Sequence, residues 1–276
     1  MNLFNDHLRL SFESKQIIKV ISGLSNSNIC KILKLVKVAE FAQASYIDVI
    51  ANINTVKLLK ANSKLPICVS SINPIDLFNC AIAGADIVEI GNFDYFYKKS
   101  IYLTPLEIIQ LAKETRLLIN NIDLCVTIPS YLYLHEQIQL AKELEIIGVN
   151  ILQTEGRSDK KLFKNDLNKF RKTQDNVFNY VNLSSSSLSS TYALSKAVTI
   201  PIITSSAINS VSSFIATSYG ASGVGIGSSI NQYQSLYDMS FYIKEIRKSL
   251  SVVRNDGKYN SCKICFKRYQ KKQIIF

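Results

Sequence analysis

The 276 residues contain no tryptophan, two histidines, five prolines and ten glycines. So little proline and glycine excludes a collagen-like or disordered chain, and with 47% hydrophobic and 19% charged residues a real core is expected. Six cysteines in a chain of this length exclude a disulfide scaffold; Cys30, Cys68, Cys80 and Cys125 lie in apolar segments and read as buried thiols in a reducing compartment. No apolar run approaches the roughly 20 residues that span a bilayer, so a soluble protein without a transmembrane segment is expected. His7 and His135 have no ligand cluster around them, and no metal site is expected. Cys262-Lys263-Ile264-Cys265 has the spacing of half a zinc site but lacks a second pair of ligands. Met1 to Lys15 holds Asp6 and Glu13 and resembles neither a secretory signal nor a transit peptide.

The formal net charge is +11, which raises the question of an anionic partner. Its distribution gives the answer. Arg254, Lys258, Lys263, Lys267, Arg268, Lys271 and Lys272 against Asp256 put +6 in the last 25 residues and leave +5 for the first 251. Abundant Lys, Asn and Ile without Trp is the composition of an AT-rich genome, so no specific nucleic-acid binding is predicted, although a basic tail can meet RNA or a membrane surface without specific contacts.

Along the chain, β-branched runs recur every 25 to 40 residues or so with helix-period segments between them. They cover Ile17 to Leu24, Tyr46 to Asn52, Leu65 to Ser71, Asp86 to Phe93, Asp123 to Pro129, Val149 to Glu155, Ile200 to Ala207 and Gly223 to Ile230. Their near-continuous hydrophobicity is that of parallel strands covered on both faces. Asn73-Pro74 and Thr104-Pro105 mark helix starts, the second with Glu107 completing a capping box. Gly84, Gly148 and Gly220 stand where helices end. Eight such units close most economically into an α/β fold of the (β/α)8 TIM-barrel type over residues 1–251, followed by a basic tail at 252–276. An open doubly wound sheet is the alternative, but Ile21-Ser22-Gly23-Leu24-Ser25 lacks its glycine-rich fingerprint. A long loop is expected at 157–182, ending near Ser184-Ser185-Ser186-Ser187 as linker and helix cap.

In such a barrel ligands gather at the C-terminal ends of the strands. Gly223-Val224-Gly225-Ile226-Gly227-Ser228, with Ser205 and Ser206 after the seventh run, reads as a phosphate site: Ser205, Ser206, Gly225, Gly227 and Ser228 let backbone N–H groups approach an anion. The plainer reading is that the glycines close a crowded seam. Ala207 counts against a turn there needing positive φ. Charges within apolar runs also need a reason. Lys19, Asp48, Glu89 and Glu155 are the four; Lys19 with Glu89 or Glu155 is equipment for proton transfer next to a carbonyl, or for Schiff-base chemistry should desolvation lower the lysine's pKa. A structural ion pair is the alternative. Asn92, Asp94, Thr127 and Gln153 lie at strand ends and complete a polar pocket. The charged 157–182 loop reads as a lid over an anionic ligand or as a solvated run.

Lys19-Val20-Ile21-Ser22-Gly23, Glu89-Ile90-Gly91-Asn92-Phe93-Asp94, Gln153-Thr154-Glu155-Gly156 and Gly223-Val224-Gly225-Ile226-Gly227-Ser228 together resemble the hypothetical chloroplast reading frame family of cyanobacteria and algal plastids, from about Lys19 to Asn231. The resemblance implies a barrel related to FMN-linked oxidoreductases and phosphate-binding isomerases or lyases, in a plastid-encoded stromal protein. Arg157 departs from the family where a second glycine is expected, and Ser130 where a histidine is expected. Three functions stay open: an enzyme acting on a small phosphorylated metabolite, an FMN-binding oxidoreductase with FMN on the same anion site, and a non-enzymatic regulatory or scaffold protein using the basic tail.

Overall fold

Each apolar run becomes a strand that stops short of the run's C-terminal end: β1 (Ile17–Ile21), β2 (Tyr46–Ile50), β3 (Ile67–Ser70), β4 (Ile87–Ile90), β5 (Asp123–Ile128), β6 (Ile151–Thr154), β7 (Ile202–Thr204) and β8 (Gly223–Ile226). The remaining residues of each run turn into the loops at the barrel mouth. Consecutive strands pair in parallel, and β8 pairs back onto β1 through Ile17–Gly223 and Lys19–Gly225, which closes an eight-stranded TIM-type barrel and removes the open-sheet alternative. The computed structural model describes residues 3–24, 26, 28–97, 99–156 and 176–255. Most of the expected lid, Cys262, Cys265 and the tail beyond Asn255 lie outside these.

Helix α1 (Asp6–Glu13) precedes β1, and α2 (Ile29–Phe41), α3 (Ile53–Asn62) and α4 (Pro74–Ile82) follow the first three strands. A short α5 (Asp94–Tyr97) and α6 (Pro105–Leu118) both follow β4; α7 (Leu134–Ile147), α8 (Asn176–Ala197), α9 (Ser210–Ser218) and α10 (Leu236–Asn255) complete the ring. A 3-10 turn at Ile230–Gln232 lies between β8 and α10. Asparagine starts many of these helices: the side chains of Asn5, Asn28, Asn52, Asn73 and Asn209 accept N–H groups of the first turn, each worth about 1 kcal/mol. Thr104 and Glu107 form the expected capping box. Gly148 ends α7 at φ 93°, a left-handed conformation that glycine adopts without strain. Among the described residues no helix is long and apolar enough to cross a membrane.

Three expectations are corrected. Cys30, read as a buried thiol, is exposed near the start of α2, while Cys68, Cys80 and Cys125 are buried. Helix α8 begins at Asn176, inside the stretch expected as loop, and Ser184-Ser185-Ser186-Ser187 lies within that helix. The serines persist there because a hydroxyl can bond back along the helix, as Ser187 does to the Ser184 carbonyl at 2.9 Å. Buried Ser184, Ser187 and Thr191 also keep the helix surface small where it meets the barrel, and Thr191 Oγ1 lies 3.1 Å from Thr154 Oγ1 on β6 and 2.7 Å from Thr204 Oγ1 on β7.

The barrel interior has two tiers. Ile17, Tyr46, Cys68, Ile87, Cys125, Ile151 and Ile203 form a lower apolar tier, capped by Leu3 and by Leu8 and Phe12 of α1. The N–H groups of Phe4 and Asn5 fix this plug by donating to the Asp123 carboxylate at 2.9 and 3.1 Å. Two residues further along each strand, on the same face, stand Lys19, Asp48, Ser70, Glu89, Thr127, Gln153 and Ser205. The inward face thus changes from apolar to polar in seven strands at one step, toward the C-terminal mouth.

Candidate functional site

At the centre of the upper tier lies the Lys19 ammonium, fully buried on β1. Its Nζ donates to Glu89 Oε2 of β4 and to Gln153 Oε1 of β6 at 2.9 Å, and Asp48 Oδ2 of β2 is 3.3 Å away. Each carboxylate is held in turn. The Ser70 hydroxyl donates to Asp48 Oδ1 at 2.6 Å and Asn92 Nδ2 to Asp48 Oδ2 at 2.8 Å. Gln153 Nε2 and the Thr127 hydroxyl donate to Glu89 Oε1 at 2.9 and 3.1 Å. Gly91 makes this possible: a Cβ there would lie 2.4 Å from Thr127 Oγ1 and 2.5 Å from Glu89 Oε1.

The cluster holds one cation and two carboxylates, all sealed from water. Burial pulls the Lys19 pKa down, yet Asp48 and Glu89 beside it outweigh burial and hold it well above the ordinary lysine value. The side chain is therefore an ammonium, and the condition attached to Schiff-base chemistry is not met. Burial raises the Asp48 pKa, Lys19 pulls it back, and the neighbouring Glu89 raises it again. On balance Asp48 is shifted upward, toward holding a proton. Through half-buried Asn92, strained at φ 58°, it is also linked to the barrel mouth.

Asp48 was legible as a charge within a strand, but the sequence paired Lys19 with Glu89 or Glu155. The structure brings Glu89 to Lys19 and adds Asp48; Glu155 stands nearer the mouth, where Tyr97 OH and the Ser130 N–H, at 2.9 Å, donate to its Oε1. That Ser130 bond is made by the backbone, so it does not depend on the side chain at this position. Tyr97 stacks on Tyr102 at 5.2 Å between ring centres, with Tyr131 edge-on to both. Nothing in the sequence pattern marks this aromatic group, because its members come from separate loops and a one-turn helix. Thr127 and Gln153 join the cluster and Asn92 touches its edge, whereas the Asp94 side chain lies outside the described residues.

At the β7 and β8 loops the expected anion site is redrawn. Ser205 is occupied: its N–H and its hydroxyl both donate to the Thr154 carbonyl, at 3.1 and 2.7 Å. The next two residues form the turn that Ala207 was expected to resist, with Ser206 at φ 78° and Ala207 at φ 53°, a left-handed conformation costing roughly 1–2 kcal/mol per residue without glycine. The N–H groups of Ser206, Ala207, Gly227 and Ser228 meet no backbone acceptor among the described residues. The seam explanation accounts for only some of the glycines. A Cβ on Gly223 would lie 2.4 Å from the Ile17 carbonyl oxygen, and one on Gly225 would lie 3.0 Å from Ser205 Cβ, whereas on Gly227 the closest contact is an ordinary 3.4 Å.

The sequence model of DUF561, described as a protein of unknown function, matches residues 3–256. The chain belongs to the DUF561 family. This DUF561 chain is 46% identical over 252 residues to the uncharacterised protein ycf23 of Antithamnion sp., covering 91% of this chain and 90% of the relative. To ycf23 of Porphyra purpurea it is 39% identical over 244 residues, 88% of each. Among solved structures, 3-hexulose-6-phosphate synthase from Salmonella typhimurium superposes with a TM-score of 0.59 at 12% identity, over 86% of the DUF561 chain and 99% of the synthase. Thiamine phosphate pyrophosphorylase from Pyrococcus furiosus gives 0.56 at 15%, over 87% and 98%. At such identities the likeness is one of fold.

Proposed function

We propose that this DUF561 protein is an enzyme that holds a small phosphorylated metabolite on the loops after β7 and β8 and moves a proton at a carbon next to a carbonyl. The surplus carboxylate carries the reading. A structural ion pair needs one acid per base, and a second buried acid beside the first costs stability and raises a pKa. In this scheme Asp48 takes and returns the proton, and the Lys19 ammonium, positioned by Glu89 and Gln153, stabilises the negative charge that develops on the substrate oxygen. The N–H groups of Ser206, Ala207, Gly227 and Ser228 take the phosphate. Support comes also from the two barrel enzymes above, whose names include a phosphorylated compound. The ycf23 relatives support placing the protein in plastids, and we assign it to the stroma.

The FMN reading shares the phosphate loops and is separated from the first by the flavin absorbance named below. The test is to incubate the protein in D2O with a panel of aldose and ketose phosphates and follow loss of the proton next to the carbonyl by NMR. Asp48→Asn should abolish exchange and keep binding of the exchanging sugar phosphate; Gly227→Asp should abolish exchange and binding of that sugar phosphate at the mouth. Failure of every panel member to bind or exchange refutes the reading, and flavin absorbance in natively isolated protein selects FMN instead.

A further inference from the structure

At the opposite, N-terminal end of the barrel, a cleft of about 470 Å³ opens between α1, the start of β3 and α10. That volume is in the range of small-metabolite sites. Arg247 of α10 lines it, with Lys64, His7, Ser45 and Glu40. Arg247 is the unexplained member. Its Nε–H is sealed from solvent and meets no acceptor among the described residues, and none of their carboxylates lies within ion-pair distance of the guanidinium. A half-buried guanidinium loses hydration, and burial lowers its pKa with no neighbouring acid to offset the loss. Arg116, also half-buried with a lowered pKa and an Nε–H that meets no acceptor among the described residues, differs in its terminal nitrogens, which donate to the carbonyls of Ile119 and Ile122 and to Asn150 Oδ1. Glu40 does not play that part for Arg247, because its Oε1 takes the Ser63 hydroxyl at 2.5 Å and the Lys64 N–H at 2.9 Å.

We propose that this cleft is a second ligand site, for a small oxyanion, with Arg247 as its anchor and the Lys64 ammonium as a second source of positive charge. A planar guanidinium with an unused Nε–H presents the fork that binds carboxylate or phosphate oxygens in pairs. The site stands apart from the Lys19 cluster and from the β7 and β8 loops, so it does not depend on the reaction proposed above. A metabolite bound here would meet the protein on the face away from the mouth, as an effector does.

Equilibrium dialysis of the full chain with labelled inorganic phosphate, and separately with labelled succinate, distinguishes the phosphate and carboxylate sources. Gly227→Asp, which blocks the mouth loops, should leave binding of one or both anions intact, whereas Arg247→Gln in that background should weaken it about tenfold or more. Arg247→Lys should recover part of it. Melting provides a readout that does not rest on the dialysis: in anion-free buffer Arg247→Gln should melt no lower than wild type, because an unpaired charge is removed, and added anion should raise the midpoint of Gly227→Asp but not of the double variant. Binding unchanged by Arg247→Gln, no binding of either anion to Gly227→Asp, or a lower midpoint for Arg247→Gln in anion-free buffer would each overturn the proposal.

Discussion

Lys19→Met removes the single cation of the upper tier at nearly constant volume and leaves Asp48 and Glu89 facing one another without water. Deleting one partner of a buried pair costs about 3–5 kcal/mol. Here two carboxylates and the Gln153 carbonyl lose their common donor, so the upper half of that range applies near neutral pH. At roughly 2–4 °C per kcal/mol for a chain of this size, the melting midpoint should fall by about 8–20 °C. The pH dependence fixes the cause. Burial already raises the Asp48 pKa, and without the ammonium that pulls it back Asp48 binds its proton still more tightly in the folded than in the unfolded chain. Stability of the variant therefore falls as pH rises from the unfolded Asp value of about 4 through the raised folded Asp48 value, and the deficit closes on acidification.

Urea unfolding of wild type and variant at pH 7 and pH 5 measures this, provided the denaturant dependence is unchanged. The triple variant Lys19→Met, Asp48→Asn, Glu89→Gln should regain wild-type stability or exceed it at neutral pH, since exchanging a whole buried ion cluster for neutral groups is often stabilising by about 1–4 kcal/mol. A Lys19→Met variant within about 1 kcal/mol of wild type at pH 7, or a deficit that does not shrink in acid, would refute the assigned charges. A triple variant as weak as the single one would show that the cluster supports the fold and is not a burden carried for chemistry.

Alkaline pH should unfold the protein steeply. Burial raises the Tyr46, Cys68 and Cys125 pKa values, and the two carboxylates raise that of Lys19 against its burial. All four hold protons more tightly when folded, so stability is lost as pH climbs past the unfolded values, about 8.5 to 10.4; a melting midpoint unchanged up to about pH 11 would contradict this. Gly223→Ala should destabilise by about 1–3 kcal/mol because its Cβ would strike the Ile17 backbone, whereas Gly227→Ala should leave the melting midpoint nearly unchanged. Equal losses at the two positions would remove the distinction between seam glycines and loop glycines.

The barrel was legible because its signals are local: a β-branched run, an asparagine or Thr-x-x-Glu cap, and a glycine after three of the helices are read a few residues at a time. Lys19, Glu89, Thr127 and Gln153 were legible for the same reason, as polar interruptions of apolar runs. Their partners were not. Asp48 and Glu155 are both acids in apolar runs, and only the closed barrel brings Asp48 Oδ2 to 3.3 Å from Lys19 Nζ while Glu155 meets Tyr97 and the Ser130 N–H instead. Ser205 has the composition of an anion ligand, but its two donors are taken by a carbonyl 51 residues away in sequence. The serine run in α8 was misread because its polarity resembles a linker, whereas its small size against β6 and β7 is what the packing uses.

One sequence feature would have drawn the site more completely, and it weighs on function as well as fold. In seven strands an apolar inward residue is followed two positions later by a polar one: Ile17 by Lys19, Tyr46 by Asp48, Cys68 by Ser70, Ile87 by Glu89, Cys125 by Thr127, Ile151 by Gln153 and Ile203 by Ser205. A barrel selected for stability alone continues Ile, Val and Leu toward its mouth, since each such side chain buried contributes about 1.5–3 kcal/mol. The Lys60–Asp86 pair, by contrast, meets at 2.6 Å where solvent reaches both side chains. The lower tier, with Phe12 and Leu8 pressed into it, supplies the apolar burial that lets the upper tier depart from that optimum. Because the change comes two residues after an apolar inward residue in strands far apart in sequence, packing at any one position does not explain it. A polar ligand approached from the mouth gives all seven positions a common cause.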